Sequence, residues 1–346
     1  MEQTSTRSAR VVELDALRGL AALAVVFYHL TAAYQQQIGH LQRLPFVFQA
    51  GNYGVHLFFL ISGFVIFMTL ERTRSAMDFV VSRFSRLFPA YWAAICITAL
   101  VVYSIGLPAQ RLPPHQLLLN FSMLQQILGA EHLDGSYWTL EVELFFYAQM
   151  LFWFVAGLLG RIRWIIAAWL VIAVGYGISA QHHLHFSYTI RELLILRHIP
   201  FFALGILFYR MRTQPQERRL DGLMVLACLL AIGWADPPVF LLVALACCAV
   251  FTLFLGGYLR WLAWKPFAFL GAISYSLYLL HQAIGFAVMH ELELAGVPSV
   301  AAVFCALALM LGLATLLTWS IERPAMRAIR NWWKQRDAHT LQRTTY

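Results

Sequence analysis

The sequence is poor in charge. Only 12% of its 346 residues are Asp, Glu, Lys or Arg, whereas 60% are hydrophobic. An ordinary soluble domain carries about twice that charged fraction, so a soluble globular chain is excluded and a polytopic membrane protein is predicted. The first hydrophobic run contains charged residues and has no small-residue cleavage site. We therefore expect it to remain in the mature protein rather than to be removed as a signal peptide.

Cysteine is scarce and shows no pattern. The five cysteines are an odd number, all lie in apolar runs, and no pair has the CxxC spacing. Neither a disulfide framework nor a cysteine metal site is expected. The run HHLH at 182–185 offers metal ligands, but a solvated loop is the favoured interpretation. We expect no metal and no permanently bound cofactor.

Hydrophobic segments separated by short polar connections fill most of the chain. A helix needs about 20 residues to cross a bilayer, with a range of about 17–25. The predicted fold is therefore all-α, with about ten transmembrane helices in the lipid bilayer. The segments are 14–33, 53–70, 88–107, 138–158, 163–180, 193–209, 221–235, 238–256, 266–289 and 298–320.

Basic residues mark one side of this predicted bundle. With the N-terminus inside, nearly all Lys and Arg fall in inside connections. This asymmetry follows the positive-inside rule, so both termini are predicted to be cytoplasmic. It also accounts for the net charge of +8 without nucleic acid as a partner. The exceptions are Arg18, within the first span, and Arg43, Arg111, Arg191 and Arg197 outside.

Two segments lie beside the spans. The longest outside connection, 108–137, contains an apolar piece at 117–128. It is predicted to be a re-entrant segment or, in the favoured interpretation, a helix lying on the membrane. The tail, 326–346, is basic and amphipathic, which predicts a helix at the cytoplasmic membrane surface. The chain is then one domain, 1–346, with its core at about 10–325.

Ionisable side chains interrupt the first span, and such residues are costly in a membrane and usually functional. Arg18 and His29 are eleven positions apart and lie within about 20° of one helix face. Asp15 lies about 40° from that line. At about 1.5 Å per residue, His29 reaches the outer half of the bilayer. The three side chains thus form one polar stripe along the first span, and this stripe must face protein or a water-filled cavity.

Two other spans carry ionisable groups at the depth of His29. His281 lies about 15 residues into the ninth span, and Glu143 lies about five residues into the fourth, which is entered from outside. Ser274, Tyr278 and His281 form one polar stripe of the ninth span. Because the three ionisable groups are predicted at one depth, we expect them to meet. A histidine beside a carboxylate can then act as a general base. A buried histidine bonded to a helix carbonyl is the alternative.

Glu141 and Glu143 are close in sequence but lie about 200° apart around a helix. They cannot both face one cavity, so one of them should line the site. Tyr147 follows Glu143 at i+4 and shares its face.

Arg83 and Arg86 precede Pro89, which suits the first turn of the third span. Two guanidiniums three positions apart share a helix face at the predicted cytoplasmic surface. They can bind phosphates there. Positive-inside anchoring is the alternative explanation of these arginines.

Several motifs taken in order resemble those of the membrane-bound acyltransferase 3 family. The ordered set covers essentially all of the membrane core, and no appended SGNH hydrolase-like domain is expected. The matching segments are LDALRGLAALAVVFYH at 14–29, GVHLFFLISGFVI at 54–66, RFSRLFPAYW at 83–92, YWTLEVELFFY at 137–147, SYSLYLLHQ at 274–282 and IERP at 321–324.

The resemblance implies transfer of an acyl group, most often acetyl, from cytoplasmic acyl-CoA to a hydroxyl of a cell-surface glycan or related acceptor. It implies that His29 is the catalytic histidine and that Glu143, rather than Glu141, is the motif glutamate. Glu322 matches a C-terminal acidic position for which no role is implied. The acyl-CoA-binding residues are then Arg18, Arg83 and Arg86.

The expected mechanism runs along the first span. The pantetheine arm of acyl-CoA, the co-substrate, passes Asp15 and Arg18, and the thioester arrives near His29. His29 deprotonates a hydroxyl of a glycan or lipid-linked saccharide, such as O-antigen or exopolysaccharide, while Glu143 orients the imidazole. An acyl-histidine intermediate is the open variant. A glycan transporter or flippase, and a structural subunit of a glycan-assembly complex, are the alternatives. The expected location is the bacterial inner membrane, and a homodimer is left open.

Overall fold

The computed structural model describes residues 12–182 and 187–343, and the regular elements in these ranges are all helical. His183 and His185 of the HHLH run lie outside the described residues. The α-helices, numbered in chain order, are α1 (Val12–Tyr28), α2 (Tyr34–Gln37), α3 (Gly54–Leu70), α4 (Ala76–Ser104), α5 (Pro114–Asn120), α6 (Trp138–Val155), α7 (Ile162–Gln181), α8 (Tyr188–Leu193), α9 (Ile199–Thr213), α10 (Arg218–Ala235), α11 (Pro238–Leu255), α12 (Lys265–Leu280), α13 (Gln282–Leu294), α14 (Ser299–Leu317) and α15 (Arg323–Arg343).

The fold is that of a polytopic helical membrane protein. Each of the ten hydrophobic segments coincides with a helix or, in one case, with a bent pair of helices. Within the described ranges, six helices are long and apolar enough to cross a membrane, and the bent pair α12–α13 makes a seventh. The other three segments coincide with α6, α9 and α10. The count of ten spans and the cytoplasmic termini stay predictions.

Helix α4 begins before the apolar run that identified it. Ser75 caps its N-terminus by accepting a hydrogen bond from the backbone N–H of Asp78 at 3.1 Å, and the helix then continues for 29 residues. Pro89 therefore lies inside the helix, so the prediction that it occupies the first turn is wrong. Arg83 and Arg86 lie within α4 rather than before it. Hydropathy marks only the apolar part of a helix, whereas the cap sets its start.

The connection at 108–137 is less helical than predicted. The expected helix at 117–128 is wrong, because α5 ends at Asn120. Asn120 is buried; its side chain accepts from the N–H of Leu133 and donates to the carbonyl of Glu131, both at 2.9 Å. These bonds fold the connection back on itself, because the amide replaces the backbone partners that a longer helix would have supplied.

The ninth predicted span, 266–289, is broken. Helices α12 and α13 meet at His281 with a bend of 73°. Asp134, from the outside connection, accepts a hydrogen bond from the N–H of Ala283 at 2.8 Å. That bond satisfies one of the backbone donors that a helix start leaves without an intrahelical partner. Because the apolar run continues through the break, its composition could not reveal it.

Helices α1 and α12 approach to backbone contact at two glycines. A Cβ atom on Gly19 would lie 2.5 Å from the amide nitrogen of Gly271, and one on Gly271 would lie 2.3 Å from the carbonyl oxygen of Asp15. Gly19 precedes His29 by ten residues, and Gly271 precedes His281 by ten. The two histidines also touch, so the helices run in parallel and both side chains reach about 15 Å beyond the glycine contact.

Two π-helical turns carry residues of interest. His29–Ala33 joins α1 to α2, and Thr318–Glu322 joins α14 to α15. Single π turns within α-helices occur frequently at functional sites. After the second turn, α15 packs on α4, where the indole N–H of Trp333 donates to the Asp78 carboxylate at 2.7 Å. The tail is therefore helical as predicted, and it is anchored to the start of α4.

Candidate active site

A central cavity of about 720 Å³, including its mouth, lies between α1, α3, α4, α6 and α12. It extends from arginines at one end of the bundle, the arginine end, towards the histidine end, where α1 and α12 finish. Polar side chains gather in it although its walls come from apolar helices. Seven of the eleven residues singled out from the sequence line it, namely Arg18, Arg83, Arg86, Glu143, Tyr147, Ser274 and Tyr278.

Arg86 is held at the arginine end by Glu322. Its Nη1 lies 2.9 Å from Oε1 of Glu322, whose side chain is 2% exposed. The other carboxylate oxygen accepts from the hydroxyl of Ser276 at 2.7 Å. The Arg86 guanidinium also lies 5.7 Å from the ring centre of Tyr275. Glu322, whose role the sequence left unassigned, therefore positions Arg86 at the cavity.

Arg83 lies between two aromatic rings. Its guanidinium carbon is 5.8 Å from the ring centre of Phe79 and 5.9 Å from that of Tyr147. One terminal nitrogen donates to the hydroxyl of Ser82 at 3.0 Å. Nε of Arg83 is buried and has no hydrogen-bond partner among the described residues. Buried donors rarely remain unpaired, so this nitrogen marks a position for an acceptor atom of a ligand.

Arg330 of α15 is a third guanidinium at this end. Its Nε donates to the Ser85 hydroxyl at 3.1 Å, and its Nη2 donates to the Ser82 carbonyl at 3.3 Å. Both serines neighbour Arg83 and Arg86 on α4, whose charges act on Arg330. We call Arg83, Arg86 and Arg330 the arginine cluster. Sequence reasoning assigned Arg330 to a surface tail, because only the packing of α15 on α4 brings it here.

Glu143 faces the central cavity, and Glu141 faces away from it. Oε1 of Glu143 accepts from the hydroxyl of Ser62 at 2.7 Å and from that of Tyr147 at 2.5 Å. Glu141 is 4% exposed and accepts from the N–H of Ile127 at 3.2 Å. The prediction that the two carboxylates face different surroundings is confirmed.

Among the described residues, no hydrogen bond or ion pair joins Glu143 to His29, whose partners are Val25 and His281. The expected pairing of these two side chains is therefore wrong. Equal depth fixes the height of a side chain but not its lateral position. His29 lies at the contact of α1 with α12, whereas the Glu143 carboxylate bonds to α3 through Ser62. Glu143 therefore belongs to the wall of the cavity.

His29 and His281 form a hydrogen-bonded pair, which we call the histidine pair. Nδ1 of His29 lies 3.0 Å from Nε2 of His281 and 3.0 Å from the carbonyl oxygen of Val25. Nδ1 of His281 lies 2.7 Å from the carbonyl of Tyr278. The predicted meeting of these histidines is confirmed. His281 is fully buried, and His29 is half-buried.

The bonds of the histidine pair assign its tautomers. A carbonyl oxygen only accepts, so in the neutral pair each Nδ1 carries the hydrogen. Nε2 of His281 then accepts the hydrogen of His29 Nδ1. Nε2 of His29 keeps its lone pair and has no hydrogen-bond partner among the described residues. This is the arrangement that a general base requires, with one nitrogen held and the other available.

Asp134 lies beside the histidine pair, because it bonds the start of α13 directly after His281. It is fully buried and accepts from the backbone N–H of Ser136 at 2.9 Å and from that of Ala283 at 2.8 Å. Burial raises the pKa of the Asp134 carboxyl, and these hydrogen bonds oppose the rise. Sequence reasoning missed this residue because it lies in the outside connection 108–137, beyond the apolar piece at 117–128, and outside every predicted span.

Tyr278 connects the cavity to the histidine pair. Its ring lines the cavity, its hydroxyl lies 2.7 Å from that of Thr139, and its carbonyl holds His281. The remaining predicted residue, Asp15, lies beside Arg18, with 3.9 Å between the Asp15 carboxylate and Nη1 of Arg18. Among the described residues, no group of three or more His, Cys, Asp or Glu side chains could hold a metal ion.

Comparison with known proteins places this architecture among acyltransferases. A family model described as an acyltransferase domain matches residues 11–319. Nodulation protein 10 of Rhizobium leguminosarum is 32% identical over 193 residues, 49% of this chain and 50% of that protein. The acyltransferase MdmB of Streptomyces mycarofaciens is 28% identical over 158 residues, 43% of this chain and 40% of that protein.

A third relative is the peptidoglycan O-acetyltransferase OatA of Listeria monocytogenes. It is 32% identical over 112 residues, which cover 30% of this chain and 16% of that protein. The chain thus spans half or less of the length of these curated relatives. No solved structure matches it.

Proposed function

Because the chain belongs to the acyltransferase domain family, we propose that it is a membrane-bound O-acyltransferase. It moves an acyl group, most often acetyl, from cytoplasmic acyl-CoA to a hydroxyl of a cell-surface or exported glycan. The observation that carries this proposal is one continuous arrangement. A cavity leads from the arginine cluster to Tyr278, and behind Tyr278 lies a histidine with one ring nitrogen held and the other available.

Acyl-CoA binds at the arginine end. Its nucleotide carries a 3′-phosphate and a pyrophosphate, and guanidinium groups suit such oxyanions because they donate in a planar fork. The unpaired Nε of Arg83 supports a phosphate contact there. Arg86, fixed by Glu322, and Arg330, fixed by two oxygens of α4, present further donors. The pantetheine arm then follows the cavity past Arg18 towards the histidine end.

His29 acts as the general base. As the acceptor hydroxyl oxygen attacks the thioester carbonyl, its proton passes to Nε2 of His29. The tetrahedral adduct then breaks its C–S bond, and the proton on His29 passes to the departing CoA thiolate. His281 accepts the hydrogen of His29 Nδ1 and so keeps the ring oriented. It takes the place in this mechanism that the sequence-based prediction assigned to Glu143, and Asp134 holds the start of α13, which follows His281 directly.

The acceptor comes from the opposite end of the bundle. The sequence predicts this end to be outside, and the proposed location is the bacterial inner membrane, with a glycan or lipid-linked saccharide as acceptor. Acyl-CoA is a co-substrate in this scheme and not a bound cofactor.

A transporter or flippase is the second candidate, and the break between α12 and α13 favours it. Discontinuous helices near the middle of a membrane are typical of transporter binding sites. Here, however, Asp134 accepts a hydrogen bond from a backbone N–H at the start of α13. A transporter would leave such N–H groups available to its substrate. A flippase would move a saccharide without cleaving a thioester.

The experiment compares cells that produce the wild-type protein, the His29→Ala variant, or neither, by mass spectrometry of surface polysaccharide. The purified proteins are assayed in proteoliposomes for CoA release from acetyl-CoA. We expect an added acyl mass with the wild type alone and a CoA release rate lower by about a hundredfold in His29→Ala, the lower range for loss of a general base.

His290→Ala is the matched control, because this histidine lies on α13 outside the histidine pair. It should retain both activities. Undiminished transfer by His29→Ala would contradict the assigned base. Saccharide movement across the membrane with no acyl mass and no CoA release would favour the flippase.

A further inference from the structure

A second cavity of about 540 Å³ lies at the histidine end, where α3, α6, α9 and α11 begin. Its walls combine aromatic rings from Tyr53, Trp138 and Phe240 with charged groups from Arg197 and Asp236. We call it the aromatic pocket. It is separate from the arginine cluster and from the residues assigned above to the proposed reaction.

The aromatic walls are built from several helices. The rings of Tyr53 and Phe240 meet edge to face, with their centres 6.1 Å apart, and the Trp138 ring lies 5.3 Å from the ring of His198. The edge-to-face contact of Tyr53 with Phe240 is a favoured geometry of ring pairs, whereas the rings of Trp138 and His198 are tilted at 39°. The walls are therefore set by packing between helices.

The polar groups of the pocket suit a neutral ligand with many hydroxyl groups. Arg197 and Asp236 supply one positive and one negative charge, in contrast to the three guanidiniums of the arginine cluster. Nδ1 of His198 is buried and has no hydrogen-bond partner among the described residues. His56 beside it is 5% exposed, and its Nδ1 is already hydrogen-bonded to the Tyr53 carbonyl at 3.3 Å, so it is not the partner of His198. Since buried polar atoms are rarely unpaired, a ligand hydroxyl fits this place.

The aromatic pocket adjoins the proposed reaction centre. Val55 lines both cavities. Trp138 of α6 lines the aromatic pocket, and the next residue, Thr139, lines the central cavity. Val55 also packs with Val25 in a small apolar cluster that Trp138 contacts, and the Val25 carbonyl bonds His29. A molecule in the pocket is thus separated from His29 by this thin layer of side chains.

We infer that the aromatic pocket binds a pyranose ring of the acceptor saccharide. A pyranose presents C–H groups on its faces and hydroxyl groups around its rim. The faces pack against the rings of Tyr53, Trp138 and Phe240, while rim hydroxyls bond Arg197 and Asp236. This inference rests on the proposed function, for which it supplies the acceptor subsite. Donor and acceptor then approach His29 from opposite ends of the bundle.

The experiment measures binding without chemistry. Saturation-transfer NMR is recorded on the full-length protein in detergent, with the methyl pyranosides of glucose, galactose, mannose, rhamnose and N-acetylglucosamine as probes. We expect saturation transfer to at least one glycoside with the wild type. The signal should fall at least fivefold in Phe240→Ala and in Asp236→Asn. Asp236→Asn changes charge without changing shape, so it keeps the test valid if Phe240→Ala fails to fold.

Phe304→Ala is the matched control, because it removes an exposed ring of α14 that is remote from the pocket; it should keep the wild-type signal. His29→Ala should also keep it, so loss of transfer chemistry and loss of saccharide binding are distinguished. In the transfer assay, Asp236→Asn should raise the KM for the saccharide about tenfold, equivalent to about 1.4 kcal/mol, and leave the KM for acetyl-CoA within about twofold. Absence of saturation transfer to every glycoside, or equal signals in the wild type and both pocket variants, overturns the inference.

Discussion

Replacing Gly271 by alanine tests whether the backbone contact of α1 with α12 sets the histidine pair. The new Cβ would lie 2.3 Å from the carbonyl oxygen of Asp15, whereas ordinary contact begins at 3.4 Å. The nearest atom belongs to the backbone and not to a flexible side chain. The helices themselves must therefore separate by about 1 Å, because packed interiors yield little. Carried to the histidine end, this shift would stretch the 3.0 Å bond between His29 and His281 beyond hydrogen-bonding distance.

Two measurements follow from that displacement. Overpacking should cost about 1–3 kcal/mol of stability, seen as a lower Tm in detergent. A misplacement of about 1 Å at a reacting group should lower kcat about a hundredfold. The KM for acetyl-CoA should change little, because the proposed donor site lies at the arginine end. Gly312→Ala is the control, because a Cβ at that helical position on α14 meets nothing within 4 Å. Wild-type kcat and Tm in Gly271→Ala would refute the reasoning.

Two further predictions concern residues that sequence reasoning missed. Arg330→Ala should raise the KM for acetyl-CoA about tenfold at unchanged kcat, since a charge-assisted hydrogen bond contributes about 1.5–3 kcal/mol. Arg327→Ala, at an exposed position of the same helix, should leave the KM for acetyl-CoA unchanged. Equal KM values in the two variants would contradict the proposed phosphate contact of Arg330. Asp134→Asn should lower kcat at least tenfold in the same steady-state assay and leave the KM for acetyl-CoA unchanged, because the amide offers one acceptor oxygen where the carboxylate uses two to hold the N–H groups of Ser136 and Ala283 beside the histidine pair. A full wild-type kcat would exclude that role.

Much of the bundle followed from hydropathy. Each of the ten predicted spans coincides with one helix or a broken pair, because a chain in lipid must satisfy its backbone hydrogen bonds internally. The break at His281 could not be predicted in this way, since apolarity measures affinity for lipid and not the continuity of the hydrogen-bond ladder. The carboxylate that accepts from the freed backbone, Asp134, comes from a connection 149 positions away along the chain.

The sequence predicted the depth of the site residues along their helices but not their lateral positions in the bundle. Counting residues along α1 and α12 predicts that His29 and His281 lie at the same depth. Gly19 and Gly271 then allow the two helices to approach closely enough for the histidines to touch. The same counting brought Glu143 to that level, yet its carboxylate turns towards Ser62. Rotation about a helix axis and the choice of neighbouring helix depend on long-range packing, for which a single sequence carries no direct signal.

The anchoring of α15 on α4 has a consequence for where the functional unit ends. The region that matches the family model stops at residue 319. Glu322, which fixes Arg86, and Arg330, which joins the arginine cluster, both lie beyond that limit. A protein trimmed at the homology boundary would keep its apolar helices and its histidine pair but lose part of the proposed donor site. A bulky fusion placed close behind Trp333 would likewise disturb the packing of α15 on α4 and with it the proposed donor site, so a tag for purification belongs on a long linker.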